Sequence, residues 1–186
     1  MSTTVLQKSI SKVFPNKSFA LAIEILFLLL MGALAITLHA KLRIPMHLPG
    51  RHGILFIALL ISARGFSRFP YASTISCLGA GGLLLTGVLG FSNPLMPVMY
   101  LLLGIVMDVM FAMMNKLSSN IFIVSLAGAF SWMFLPFARL SFGGFTNVIS
   151  QSFAQGFFFP FLTHFIFGYL GALAGLGLVK LLDKQK

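Results

Sequence analysis

The chain contains apolar stretches as long as a bilayer is thick. Residues 19–40 read FALAIEILFLLLMGALAITLHA, with Glu24 as their one acidic residue. A helix rises about 1.5 Å per residue, so some 20 apolar residues cross a hydrocarbon core of about 30 Å. Comparable runs recur to the end of the chain and predict six spans, at roughly 19–40, 53–69, 70–91, 94–114, 119–138 and 156–182. Spans two and three are the weakest, because Arg64, Arg68 and Pro70 crowd their junction and span two is short. Inside a bilayer every backbone polar group must bond within the protein, which leaves helices or a closed barrel. The runs are continuously apolar rather than alternating, so the expected fold is an all-α, polytopic integral membrane bundle of about six helices. With 58% hydrophobic and 9% charged residues, the chain lacks the polar shell of a soluble domain. Residues 1–18 form an N-terminal segment, 19–182 the transmembrane domain and 183–186 a short tail. The apolar run continuing through Leu38 suits a retained first span rather than a cleaved leader, despite Lys8, Lys12 and Lys17 before it.

The net charge of +10 arises because only three acidic residues oppose thirteen Lys and Arg. Most of those bases lie at span ends, where they orient a membrane protein, so nucleic acid is not an expected partner. Nine fall on the side of the N-terminus (Lys8, Lys12, Lys17, Arg64, Arg68, Lys116, Lys180, Lys184, Lys186) and four on the other (Lys41, Arg43, Arg51, Arg139). This predicts a multi-pass protein of the cell (inner) membrane with both termini cytoplasmic. Three of the four opposing bases lie in KLRIPMHLPGRH, residues 41–52, with His47, His52 and two prolines. Proline fixes φ and disfavours helix at the preceding residue, so this first outer loop is expected to be short and stiff, turning at Gly50.

Ionisable residues at membrane depth tend to mark pairing or function. Glu24 reads as an interfacial carboxylate, and Asp108 as one half of an ion pair with Arg64 or Lys116 or, alternatively, as a proton-coupling group. Cys77 reads as a small buried hydrophobe or, alternatively, as a soft metal or cobalt ligand; being single, it excludes an intrachain disulfide and a thiolate-rich metal site. The other polar groups converge on the outer side: His47, Arg51 and His52 in the first loop, Asn93, Arg139, Asn147, Gln151 and Gln155 in or beside the later loops, and Tyr100, Trp132 and His164 in the outer parts of their spans. Apolar walls with a few placed polar groups describe a ligand pocket, and the first loop reads as its lid. Small-residue ridges at Gly82/Thr86/Gly90, Gly168/Ala172 and Gly171/Gly175, with a weaker one at Ala33/Thr37, predict close helix packing or partner docking.

Enzyme chemistry lacks its residues. The chain has no His-Glu-x-x-His zinc motif, no acidic cluster for Mg²⁺, no cysteine pair and no phosphate-binding glycine loop. Neither catalysis nor a resident cofactor or metal is expected, and ATP-driven work would need other subunits.

The segment KLRIPMHLPGRHGILFIALLISARGF, with its R-I-P leaving span one, resembles the biotin-type substrate-binding S components of energy-coupling factor (ECF) transporters. The passage GVLGFSNPLMPVMYLLLGIVMDVMF is similar to the glycine-rich stretch and following helix, with a late Asp, of many S components. An alanine-x-x-x-alanine docking pair on span one is replaced here by Ala33 and Thr37. MHLPG is similar to the start of the cobalt and nickel members, but Met46 is internal, so their metal chemistry does not carry over. The resemblance implies capture of a vitamin or similar micronutrient and its ATP-driven uptake through an ECF transmembrane subunit and ATPase subunits. It implies lid roles for His47, Arg51 and His52, and pocket roles for Asn93, Trp132, Arg139, Gln151 and His164. Two other readings stand beside it: a membrane scaffold of the rod-shape-determining type, and a stand-alone proton-coupled carrier using Asp108 and Glu24.

Overall fold

The computed structural model describes residues 16–42, 48–91, 93–114, 120–146 and 156–184. Six helices account for most of them: α1 (Lys17–Lys41), α2 (Gly53–Phe66), α3 (Ala72–Leu85), α4 (Met96–Met114), α5 (Ile121–Thr146) and α6 (Phe159–Lys184). No strand occurs among the described residues, so the chain is an all-helical bundle. Four helices, α1, α4, α5 and α6, are long and apolar enough to cross a membrane. Each helix packs on the next in the cyclic order α1–α3–α4–α5–α6–α2 and back to α1, and α2 also leans across the ring to α3 and α5.

The helices alternate in direction. The beginning of α1 meets the end of α2 through Glu24 and Ser67, and the end of α2 meets the end of α6 through Gly65 and Val179. The start of α1 and the close of α6 therefore share one end of the bundle, the Glu24 end. The opposite end carries His39 and is called the His39 end.

Helices α2 and α3 have 14 residues each, about 21 Å at 1.5 Å per residue, less than the ~30 Å of a typical hydrocarbon core. The expected spans 53–69 and 70–91 are thus shorter than read, for two physical reasons. At the His39 end, residues 86–91 are apolar enough to pass for membrane helix, but Gly87 and Gly90 adopt φ of 71° and 72° and end α3 at Leu85. At the Glu24 end, the link between α2 and α3 is tied to α1 and α4 well short of the ends of those helices, with Ser67 buried and Arg68, Pro70 and Tyr71 exposed. Glu24 lies about two turns into α1 and Asp108 about two turns before the end of α4, and both reach this link.

Irregular backbone at such depth is tolerated only where the protein satisfies it, and the two buried carboxylates do so. Glu24 accepts from the Ser67 hydroxyl at 2.7 Å and the Arg68 amide at 3.0 Å. Asp108 accepts from the Ser73 amide at 3.1 Å, the Thr74 amide at 2.8 Å and the Thr74 hydroxyl at 2.6 Å, and pairs with Arg64. Tyr71, the N-cap of α3, makes no side-chain cap bond. Asp108 therefore caps α3 from a neighbouring helix, placing its charge where the helix dipole favours an anion. The expected ion pair is the one with Arg64, whose guanidinium also lies 4.2 Å from the Phe111 ring centroid. Glu24 is buried and bonded rather than interfacial.

Small residues let backbones meet. A Cβ at Gly32 would stand 1.6 Å from the Ser76 carbonyl oxygen, and one at Gly79 would stand 2.0 Å from that of Leu29, so α1 and α3 are in backbone contact. Cys77 is a packing residue of the core, against Gly104 of α4. On α6 the expected ridges do pack the bundle: Gly168 meets Gly128 and Ala129, Gly171 meets Gly53 and Ile54, and Gly175 meets Ala58 and Ile61. The Gly82/Thr86/Gly90 ridge does not: Gly82 and Gly90 have nothing within 4 Å of a built Cβ, and Thr86 is exposed. On α1 the Thr37 hydroxyl bonds the Ala33 carbonyl at 2.7 Å within its own helix. The periphery is apolar, as in the Leu26, Leu30, Leu34 stripe of α1, which suits a lipid-facing surface.

Candidate ligand-binding site

Five helices bring rings together at the His39 end. His39 comes from the last turn of α1, His52 from the N-cap of α2 and Phe56 from its first turn. Tyr100 comes from early α4, Trp132 from the middle of α5 and His164 from early α6. The imidazoles of His39 and His52 lie face to face, with centroids 4.6 Å apart and planes 9° from parallel. Phe56 stacks on Trp132 at 5.5 Å and Trp132 on His164 at 5.8 Å. Tyr100 and Phe91 meet His39 edge-on at 6.0 and 5.7 Å. Offset and edge-on contacts at 4.5–7 Å are the favoured aromatic geometries.

Polar bonds fix the rings. The Tyr100 hydroxyl bonds His39 Nδ1 at 2.9 Å. His164 Nδ1 stands 2.7 Å from the Pro160 carbonyl, which can only accept, so Nδ1 carries the proton. Trp132 Nε1 donates to the Gly50 carbonyl at 3.0 Å. Pro136, inside α5, has no amide hydrogen for the Trp132 carbonyl, so the helix is locally unbonded beside the site.

The described part of the first loop, residues 48–52, is seated on this cluster. The turn bends at Gly50, with φ of 78°. A Cβ there would meet the His164 ring at 2.7 Å, and one at Gly53 would meet Trp132 Nε1 at 2.2 Å. Only glycine lets this turn lie flat on two rings.

The electrostatics are one-sided. Arg51 sits in the turn beside His52, and Arg139 of α5 lies within electrostatic range of His39, Tyr100 and His164. The chain's three carboxylates are Glu24, Asp108 and Asp183, and all belong to the other end of the bundle. Arg51 Nε and His52 Nδ1 are buried and meet no hydrogen-bond partner among the described residues. Burial, then the neighbouring Arg51 charge, pushes the His52 pKa below its ordinary value. No cluster of three metal-ligating side chains occurs among the described residues.

Of the expected site residues, Arg51, His52, Trp132, Arg139 and His164 come together here. Asn93 has a structural role: its side-chain oxygen accepts from the Leu95 amide at 2.9 Å, and its carbonyl from Met96 at 3.2 Å, ordering the entry to α4. His47 and Gln151, with Asn147 and Gln155, lie outside the described residues. Sequence reasoning missed His39 and Phe56. His39 was legible in one respect: it ends the first apolar run at the level where the other histidines gather.

No family model, no curated protein and no solved structure matches this chain.

Proposed function

We propose that the chain is a membrane substrate-binding subunit that captures a small, ring-containing anion at the His39 end. The sequence's resemblance to ECF S components supports reading it as one subunit of an importer whose ATPase and transmembrane subunits are separate proteins. On that reading the His39 end faces outward and both termini are cytoplasmic, as the distribution of basic residues favours.

One observation carries the proposal. Arg51, Arg139 and three imidazoles converge on a bed of aromatic rings, beneath a proline–glycine turn, at an end of the molecule that holds no carboxylate. Buried donors without acceptors cost free energy, typically about 1–3 kcal/mol for each unmet group. A ligand carboxylate or phosphate would meet Arg51 through charge-assisted bonds, and its ring would lie on the aromatic bed. A vitamin-like micronutrient combines these two chemistries.

The stand-alone carrier reading has less support, because Asp108 is engaged by four donors that anchor the α2–α3 link. The scaffold reading would make the basic turn a protein-docking surface instead.

Native mass spectrometry of protein purified in mild detergent tests the proposal. A small anion bound one to one, and absent from Arg51→Ala protein, is the expected result. Protein that carries nothing and takes up nothing from a micronutrient panel would overturn it in favour of the scaffold.

A further inference from the structure

Among the rings of the cluster, His52 differs in what holds it. Phe56, Tyr100, Trp132 and His164 are buried within helices, with exposures of 0, 0, 1 and 2%. His52 is half-buried, precedes the first residue of α2, and caps that helix without a side-chain hydrogen bond. Its Nδ1 has no partner among the described residues. Beyond the His52 carbonyl's bond with the Phe56 amide, the ring's one specific engagement there is the face of His39, with planes nearly parallel at 4.6 Å. His39 is itself held from below by Tyr100 and edged by Phe91 and Phe56. The His39 face is therefore a prepared surface for one flat ring, and the loop supplies that ring. The neighbouring Arg51 lies on the same turn, so any movement that lifts His52 also re-aims the guanidinium.

We propose that His52 is a built-in stand-in for the ligand's ring: it covers the His39 face until a planar aromatic anion displaces it, Arg51 on the same turn taking the anion's charge. The inference rests on the capture reading and adds to it a ligand class and a self-competing side chain. The flat His39–His52 stack selects a planar ring over a puckered one. The absence of carboxylates at this end selects an anion over a neutral or cationic ring. The competitor raises the threshold for binding, so a ring that stacks no better than imidazole gains nothing by entering.

The competition has a testable signature, because removing a contact residue normally weakens binding. Equilibrium dialysis of the full chain in detergent would use 2-naphthoate as the probe, with neutral 2-naphthamide and the saturated decalin-2-carboxylate as controls. The wild type is expected to bind 2-naphthoate at least tenfold more tightly than either control. His52→Ala is expected to bind it three- to tenfold more tightly than the wild type, Arg51→Ala at least tenfold more weakly, and His52→Phe, which restores a flat ring, no better than the wild type. His52→Phe also guards against a folding defect in the alanine variant. Wild-type binding of 2-naphthoate that is unchanged or weakened in His52→Ala would overturn the stand-in while leaving capture intact. Equal binding of naphthoate and decalin carboxylate would overturn the planar-ring class. No binding of 2-naphthoate by any variant would overturn the stand-in and its ligand class together, while the native mass spectrum decides separately whether capture survives.

Discussion

Replacing Asp108 with Asn keeps the side chain's shape and removes its charge, and the structure gives the size of the consequence. One carboxylate oxygen serves Arg64 and the Ser73 amide; the other serves the Thr74 amide and hydroxyl. An amide has a single oxygen. If it faces Arg64 and Ser73, its NH₂ group points at the Thr74 N–H, which loses its acceptor. The flipped amide leaves Ser73 unmet and sets NH₂ against the guanidinium. One orphaned buried N–H costs about 1–3 kcal/mol, and removing one partner of a buried ion pair costs about 3–5 kcal/mol. Arg64 keeps 17% exposure and its contact with Phe111, so its own loss is at the low end or below. Asp108→Asn should therefore destabilise the protein by about 3–5 kcal/mol, measured by reversible SDS titration in mixed micelles. Arg64→Met combined with Asp108→Asn should recover the charge part and leave the orphaned amide, a loss of about 1–2 kcal/mol. A single-variant loss below about 1 kcal/mol would refute the argument that this carboxylate holds the α2–α3 link. Abolished uptake in Asp108→Asn with stability intact would point instead to a proton-carrying Asp108.

Other consequences are equally specific. Gly32→Ala places a methyl group 1.6 Å from the Ser76 carbonyl oxygen and should cost about 3 kcal/mol or more in the same titration, whereas Gly82→Ala meets nothing and should fall within about 0.5 kcal/mol of the wild type or gain stability. Gly50→Ala forces a side chain into φ of 78° against the His164 ring and should cost about 1–2 kcal/mol of stability in that titration. The His52 pKa is held down by burial and by Arg51, so the displaced, solvated imidazole binds protons more readily than the stacked one. Binding of an aromatic anion should accordingly strengthen as pH falls below about 6.5. His39, Tyr100, Arg139 and His164 also face this cluster, so the response is assigned to His52 only if His52→Phe abolishes it; a persisting response would locate it elsewhere.

The sequence made the membrane bundle legible because sustained hydropathy is the cost of lipid contact, residue by residue. It did not reveal that α2 and α3 are short. Apolar residues such as Val88 and Leu89 read as membrane helix whatever their φ, and only the glycines at 87 and 90 hinted at a turn. The Arg64–Asp108 pair was readable from charge economy, but the capping of α3 by Asp108 was not, because a cap supplied by another helix has no sequence spacing. The ring cluster was half readable. Trp132 and His164 are amphipathic residues out of keeping with their apolar spans, and Arg51 and His52 stand out in the basic first loop. His39 was hidden at the end of a helix whose other residues face lipid or core, and Phe56 looked like any core phenylalanine. Asn93 looked like a pocket group because polarity near a loop does not distinguish a ligand contact from a side chain that bonds its own turn, as Asn93 does with the Leu95 amide.

Trp132 is the chain's single tryptophan, and it lies in the ring cluster, bonded to the turn at Gly50. Its fluorescence therefore reports on the site alone. Titrating the wild-type protein with the small anion released from it should change Trp132 emission saturably, at one equivalent, and the change should vanish in Arg51→Ala. Saturable binding by dialysis with unaltered Trp132 emission would contradict the account, because the ligand would then be held somewhere other than the rings beneath the Pro49–Gly50 turn.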